Sequence, residues 1–285
     1  MVMTDDIISE PPVWPVALSV AGSDSGGGAG IQADLRIFAF CRVFGTTAIT
    51  AATAQNPAGV GAIEAVSPTV VASQMRAVFE AFTVGAVKTG MLFSVEIVQA
   101  VVAELRSSRS PLVVDPVMVA TSGASLLRED AVAAVAEGLL PMATIITPNL
   151  PEAEVLLGRS LIRNDTQLRA AAAELRDRFG TAVALKGGHD GESDGAVDYL
   201  CLEDGCWRLR SPRIEAPTTH GTGCCFSAAL AAGLARQLDL LEATRRAKAL
   251  VFGCLRSCVK LGPAAAGMVV PETLEIGQVE VARCD

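Results

Sequence analysis

Short apolar runs alternate with segments of helical length along most of this chain, and that alternation restricts the fold more than any other feature. Residues 17–21, 47–52, 85–88, 112–115, 144–147 and 183–186 are expected strands. Residues 68–82, 94–106, 128–140 and 166–178 have the length and periodicity of helices, and 31–40 repeats apolar residues at Ile31, Leu35, Phe38 and Ala39. Strand and helix in turn predict an α/β fold with a mainly parallel central sheet covered by helices on both faces. In such sheets ligands bind beyond the carboxyl ends of the strands, where Asp24, Asp115, Asn149 and Lys186 fall. No repeat or linker divides the chain, so one domain is expected over residues 16–285, with 1–15 an N-terminal extension.

Two glycine-rich segments supply the chemistry. His220-Gly-Thr-Gly-Cys224-Cys225 opens an alanine-rich amphipathic stretch that reaches about residue 238. Gly221 and Gly223 allow the backbone to approach a ligand closely, and the helix beyond them turns unpaired N–H groups and its positive dipole end toward an anion, phosphate above all. Cys224 at that helix start is expected to have a lowered thiol pKa and to accept a proton near neutral pH. The alternative is a tight turn into a buried helix, with both cysteines as small packing residues. Residues 23–30, Ser-Asp-Ser-Gly-Gly-Gly-Ala-Gly, form the second loop, between an expected strand and helix. It matches neither the dinucleotide fingerprint nor the P-loop. Lys186 runs into Gly187 and Gly188, where an open backbone lets a lysine reach phosphate.

Composition excludes several classes. With 23 basic and 31 acidic residues the formal charge is −8, so no nucleic-acid partner is expected. Residues 1–15 carry Asp5, Asp6 and Glu10 and no basic residue, unlike a signal peptide, and no apolar run is long enough for a membrane span; a soluble, cytoplasmic protein is expected. The eight cysteines contain no C-x-x-C pair, which supports neither a disulfide framework nor a zinc site. Cys254 and Cys258, four apart, are expected as core residues of one helix. His189 and His220 lie beside glycines in separate loops and do not form a metal site.

The segment from Ala21 to Asp34, together with His220 to Cys224, resembles the hydroxymethylpyrimidine/phosphomethylpyrimidine kinases of thiamine biosynthesis, in the ribokinase superfamily. Further matches follow in the family's order: Thr53-Ala-Gln-Asn56, Gly90-Met-Leu92, Asp115-Pro-Val-Met-Val-Ala120, Ile146 to Glu154 and Leu185-Lys-Gly-Gly-His189. Together they span residues 16–262. The resemblance implies a ribokinase-like fold and ATP-dependent phosphorylation of 4-amino-5-hydroxymethyl-2-methylpyrimidine and then of its monophosphate. It implies that Gln55 reads the pyrimidine edge, with Asp34, Ala29, Met91 and Val117 forming the pocket. Asp115, Asn149, Glu152, Lys186, Gly188 and Thr222 would serve ATP, with Asp115 and Glu152 organising magnesium. Cys224 would take the hydroxymethyl proton, Gly221 to Cys224 would stabilise the developing charge and Lys186 would neutralise phosphate. A homodimer is implied too.

Departures from the family pattern are Thr121 and Ala124, where a lysine and an acid are usual, Pro57 and Cys225 in place of threonines, and Gly262-Pro-Ala-Ala-Ala, which lacks a histidine. The missing lysine bears most on the second phosphorylation. Two other readings remain at this level: a pyridoxal kinase on the same scaffold, and a catalytically silent pyrimidine-binding regulator.

Overall fold

The computed structural model describes residues 13–57, 59–118, 128–188, 195–263 and 265–284. The elements are β1 (Val16–Asp24), α1 (Gly30–Phe40), β2 (Phe44–Asn56), β3 (Gly59–Ala65), α2 (Pro68–Ala81), β4 (Val84–Thr89), α3 (Val95–Leu105), β5 (Leu112–Val114) and α4 (Glu129–Ala134). There follow β6 (Ile145–Ile146), α5 (Leu150–Leu157), α6 (Asp165–Phe179), β7 (Ala182–Lys186), β8 (Ala196–Leu202), β9 (Gly205–Ser211), α7 (Thr222–Ala235) and α8 (Leu240–Arg256). Last come β10 (Cys258–Lys260), β11 (Ala266–Met268) and β12 (Glu280–Arg283).

One ten-stranded sheet runs β12-β9-β8-β7-β6-β5-β4-β1-β2-β3. The strands from β2 to β7 in that order are mutually parallel, and β3, β8, β9 and β12 extend the sheet antiparallel at its two ends. The central strands are buried on both faces, and their side chains sort with period two. Leu18, Val20, Val87, Leu112, Val114, Ile146, Val183 and Leu185 join one core with α3, α5 and α6, while Ala17, Ala86, Val113, Ile145 and Ala184 join the other with α1, α7 and α8. This explains why these strands read as continuous apolar runs rather than alternating ones.

Sequence and structure part company at four places. The helix expected over 128–140 is α4 followed by a π-type turn at Val135–Leu139 and a 3₁₀ turn at Leu140–Met142, where Gly138 weakens the ladder and Pro141 ends it. Cys258 does not share a helix with Cys254, because α8 ends at Arg256 and Cys258 begins β10. The expectation of no disulfide is corrected by Cys201–Cys206, which face each other across the β8–β9 hairpin. Five residues apart in sequence, they are brought opposite by strand register rather than by a motif. Finally, β3, β8, β9 and β12 were outside the expected strand set.

Candidate active site

The strand order brings the tips of β1, β4, β5, β6 and β7 to one edge, and the two glycine loops close over that edge from above. Asp24, at the end of β1, organises the first loop: its carboxylate accepts from the N–H groups of Gly26 (2.8 Å), Gly28 (3.0 Å) and Ala29 (2.8 Å). Burial works against the charge of Asp24, but His220 and the Ala29 and Gly26 amides outweigh it and hold the carboxyl below its ordinary range. Gly221 caps α7 with φ +86°, and a Cβ there would come within 2.0 Å of the Gly28 carbonyl oxygen. The two loops can therefore interlock only because this position is glycine.

At the start of α7 the Thr222 amide and hydroxyl both turn back to the Thr219 carbonyl, at 3.2 and 2.9 Å. That corrects the expectation that the whole run from Gly221 to Cys224 offers donors to a ligand. The amides of Gly223 and Cys224 have no acceptor among the described residues and remain for an anion.

Beneath them lies Lys186, at the end of β7, its Nζ 2.9 Å from Asp115 Oδ1. A Cβ on Gly223 would stand 3.3 Å from that Nζ and 3.6 Å from Asp115 Oδ2, so the helix terminus rests directly on the ion pair. Asp115 also accepts from Thr147 Oγ1 (3.2 Å) at Oδ1 and from Ser227 Oγ (3.1 Å) at Oδ2. Burial would raise its pKa, yet Lys186, Lys88 and these hydrogen bonds hold it lowered; Lys186 is held above its usual value, because the Asp115 and Glu152 carboxylates overcome its own burial. Asn149 and Glu152 form a reciprocal capping box on α5, each side chain accepting from the other's amide, at 2.9 and 2.8 Å. Burial pushes the Glu152 carboxyl up to about 7, with Asp115 adding and Lys186 opposing.

Cys224 differs from expectation. Burial, helped by the Asp34 and Asp115 carboxylates and opposed by Lys88 and the Gly30 amide, pushes its thiol up to about 11. At neutral pH the residue therefore stands mainly as the thiol, not as the thiolate that the helix start alone would favour. Desolvation outweighs the helix terminus here.

The expected pocket residues do not all occupy equivalent places. Met91 and Val117 join Ala51, Val60 and Ile63 in a small apolar cluster under the β2–β3 hairpin, whereas Ala29 is the N-cap of α1 and lies outside that cluster. Gln55 sits at the hairpin tip, its amide 3.3 Å from His220 Nε2. Asp34 lies below the floor, wholly buried, accepting from Ser19 Oγ (2.5 Å) and paired with Lys88 Nζ at 2.7 Å. Gly188 follows the Lys186 turn, whose Gly187 amide is held by Asp198, itself paired with Lys248 at 2.7 Å. Thr121, Ala124 and His189 lie outside the described residues.

Lys88, Asp198, Lys248 and the contacts of His220 were not foreseen. For Lys88 a signal existed: a lysine inside the apolar run Val84–Thr89, on a central strand, must be paired when buried.

The fit of magnesium can be judged from the carboxylates. Both oxygens of Asp115 are engaged by protein donors, Glu152 accepts from the Asn149 and Met118 amides, and no cluster of three or more His, Cys, Asp or Glu suited to a metal occurs among the described residues. With these donors already in place, the pair suits an ion held through water, beside the nucleotide phosphates, better than one ligated directly.

A parallel sheet with antiparallel ends, phosphate-type glycine loops at the strand tips and a buried Lys–Asp pair define a ribokinase-like small-molecule phosphotransferase. The family model for phosphomethylpyrimidine kinase matches residues 24–269, and the chain belongs to that family. A hydroxymethylpyrimidine/phosphomethylpyrimidine kinase from Rhizobium meliloti is 48% identical over 246 residues, covering 86% of this chain and 92% of the relative. Among solved structures, the Bacillus subtilis pyridoxal kinase in its ADP complex superposes with a TM-score of 0.82 at 33% identity, covering 90% of this chain and 97% of that one. The phosphomethylpyrimidine kinase of Clostridium difficile superposes at 0.73 and 38% identity, covering 83% and 97%. No helix among the described residues is long and apolar enough to cross a membrane.

Proposed function

We propose that the chain transfers the γ-phosphoryl group of ATP to the hydroxymethyl oxygen of 4-amino-5-hydroxymethyl-2-methylpyrimidine, and then phosphorylates the resulting monophosphate at the same site. The observation that carries this reading is the stack of the Gly223 and Cys224 amides, which have no acceptor among the described residues, on the charged Lys186–Asp115 pair. Phosphoryl transfer asks mainly for positioning and for stabilisation of charge on the phosphoryl oxygens. A fixed ammonium and two oriented amides in a half-buried setting supply both. Beside them the Met91–Val117 patch suits a flat heteroaromatic ring, and the Gln55 amide offers a donor and an acceptor to its edge. Ala29 belongs to the wall of that pocket, and Asp34 supports it from beneath through Lys88.

Cys224 adjoins the transfer point as a neutral thiol, and we assign it no proton-accepting role. Magnesium enters this reading with the nucleotide, as a counter-charge to its phosphates, and Asp115, Asn149, Glu152, Gly188 and Thr222 shape the nucleotide side without direct ligation of the ion. A cytoplasmic homodimer remains the expectation that goes with the family.

A pyridoxal kinase activity is the second reading, favoured by the TM-score of 0.82 with the Bacillus subtilis enzyme. Steady-state kinetics with both acceptors separate the two. The proposal expects kcat/KM for the hydroxymethylpyrimidine to exceed that for pyridoxal by at least about tenfold, one recognition hydrogen bond's worth. The reverse order would transfer the assignment to pyridoxal.

A further inference from the structure

His220 is the point at which three segments of the site meet. Its ring lies against Gly28 of the first glycine loop, where a Cβ would stand 2.5 Å from its Cδ2. Its Nε2 is 3.1 Å from Asp24 Oδ2 and 3.3 Å from the Gln55 amide at the hairpin tip. The Gln55 backbone is already fixed, since Ser25 Oγ accepts from its N–H and donates to its carbonyl, both at 2.8 Å. What remains open is which end of the side-chain amide faces His220.

The hydrogen count decides it. A carboxylate held below its ordinary pKa only accepts, so the His220 Nε2 facing Asp24 carries a proton and donates it. The same N–H faces Gln55, which can share it only through an amide oxygen. With oxygen toward His220, the amide nitrogen faces Thr53 Oγ1, at the position 3.1 Å away. The single Thr53 hydroxyl proton is then free for the Ser23 carbonyl at 3.0 Å. In this arrangement every donor of the network but one has an acceptor, and that one is the second Gln55 N–H. The opposite orientation sets N–H against N–H at His220 and asks the one Thr53 proton to serve two acceptors, Ser23 O and Gln55 Oε1. Amide oxygen and nitrogen occupy the same two positions either way, so the network, through His220, selects between them.

We infer that His220 is a specificity-determining positioning residue, which, by donating jointly to Asp24 and Gln55, turns the Gln55 N–H toward the ligand and selects a heteroaromatic ring edge that presents an acceptor nitrogen. The inference rests on the reading that Gln55 contacts the ring. It adds that the choice between donor and acceptor at this contact is made by a residue of the phosphate loop, not by Gln55 itself. Pocket and phosphate site are thereby joined through one imidazole.

Steady-state kinetics on Gln55→Ala, His220→Ala, His220→Gln and the double variant Gln55→Ala/His220→Ala test it. Gln55→Ala should raise the KM for the hydroxymethylpyrimidine and leave the KM for ATP unchanged. His220→Ala should raise the same KM about tenfold, the value of one oriented hydrogen bond, with kcat changed less than about threefold. His220→Gln, which retains an N–H donor at similar reach, should recover most of the loss, and the double variant should be no worse than Gln55→Ala alone. Should His220→Ala not fold, His220→Met fills the space without a donor and replaces it. Independent, multiplying effects in the double variant, or a fall in kcat with the pyrimidine KM unmoved, would overturn the inference while leaving the function intact. An unchanged pyrimidine KM in Gln55→Ala would instead remove the reading of Gln55 on which it stands, and the inference with it.

Discussion

Around the Cys224 thiol stand Lys88, Asp34, Asp115 and the Gly30 amide, and their summed effect with burial leaves it protonated at neutral pH. From the sequence, only the helix start was legible; the enclosing carboxylates come from α1 and from the end of β5, far away along the chain. A thiol whose pKa is about 11 is ionised to roughly one part in ten thousand at pH 7. If thiolate were the working form, the rate of the wild type relative to Cys224→Ser would rise about tenfold per pH unit between pH 7.5 and 9.5. With the thiol as the resting form that ratio should stay constant, as measured by kcat at saturating substrates. Lys88 belongs to the same cluster, its ammonium held above the ordinary lysine range by Asp34, Cys224 and Asp115 against full burial. Lys88→Met leaves Asp34 buried without its cation, so that burial, which already raises its pKa, drives the carboxyl toward the protonated form, and should cost about 3–5 kcal/mol in urea unfolding. Adding Asp34→Leu should return part of that loss; strict additivity of the two would show that the pair does not act as a unit.

At the scale of elements, the glycine loops were legible because their backbone demands are written in residue type, whereas their mutual contact was not. Gly158 and Gly221 show the difference. Both have left-handed φ, +70° and +86°, but a Cβ on Gly158 meets nothing within 4 Å, while one on Gly221 meets the Gly28 carbonyl at 2.0 Å. Gly158→Ala should therefore cost about 1–2 kcal/mol through backbone strain alone. Gly221→Ala must also push apart the loops that align the Gly223 and Cys224 amides with Lys186. It should lower kcat/KM by about a hundredfold or more, as misplacement of catalytic groups by an ångström does. Equal behaviour of the two variants in melting and kinetics would show that the interlock is unimportant. The strands that the sequence does not foretell are peripheral ones. β3, Gly-Val-Gly-Ala-Ile-Glu-Ala, has few large apolar residues, and β12 is short and exposed because it pairs on one side only. The β8–β9 hairpin did carry a signal in Asp204-Gly205 between two runs rich in β-formers, and with it the Cys201–Cys206 pairing becomes a matter of register.

At the scale of the molecule, the parallel order of the central strands is what converts scattered motifs into one site. Asp24, Asp115, Asn149 and Lys186 lie far apart in sequence, and all were expected at strand ends because a parallel sheet gathers its carboxyl ends on one edge. That part of the site was readable from periodicity alone. The buried supports, Lys88–Asp34 under the floor and Lys248–Asp198 behind Gly187, depend on which helix covers which face and so required the three-dimensional structure. The central claim is that one such edge performs two successive phosphorylations, the second on the product of the first. Its most direct test is a time course of the wild-type enzyme with ATP and the hydroxymethylpyrimidine, with mono- and diphosphate resolved by mass, alongside Lys186→Met. Monophosphate should rise and then fall as diphosphate accumulates, and the lysine substitution should suppress both steps together. Monophosphate as the sole end product, or loss of one step with the other retained in Lys186→Met, would contradict it.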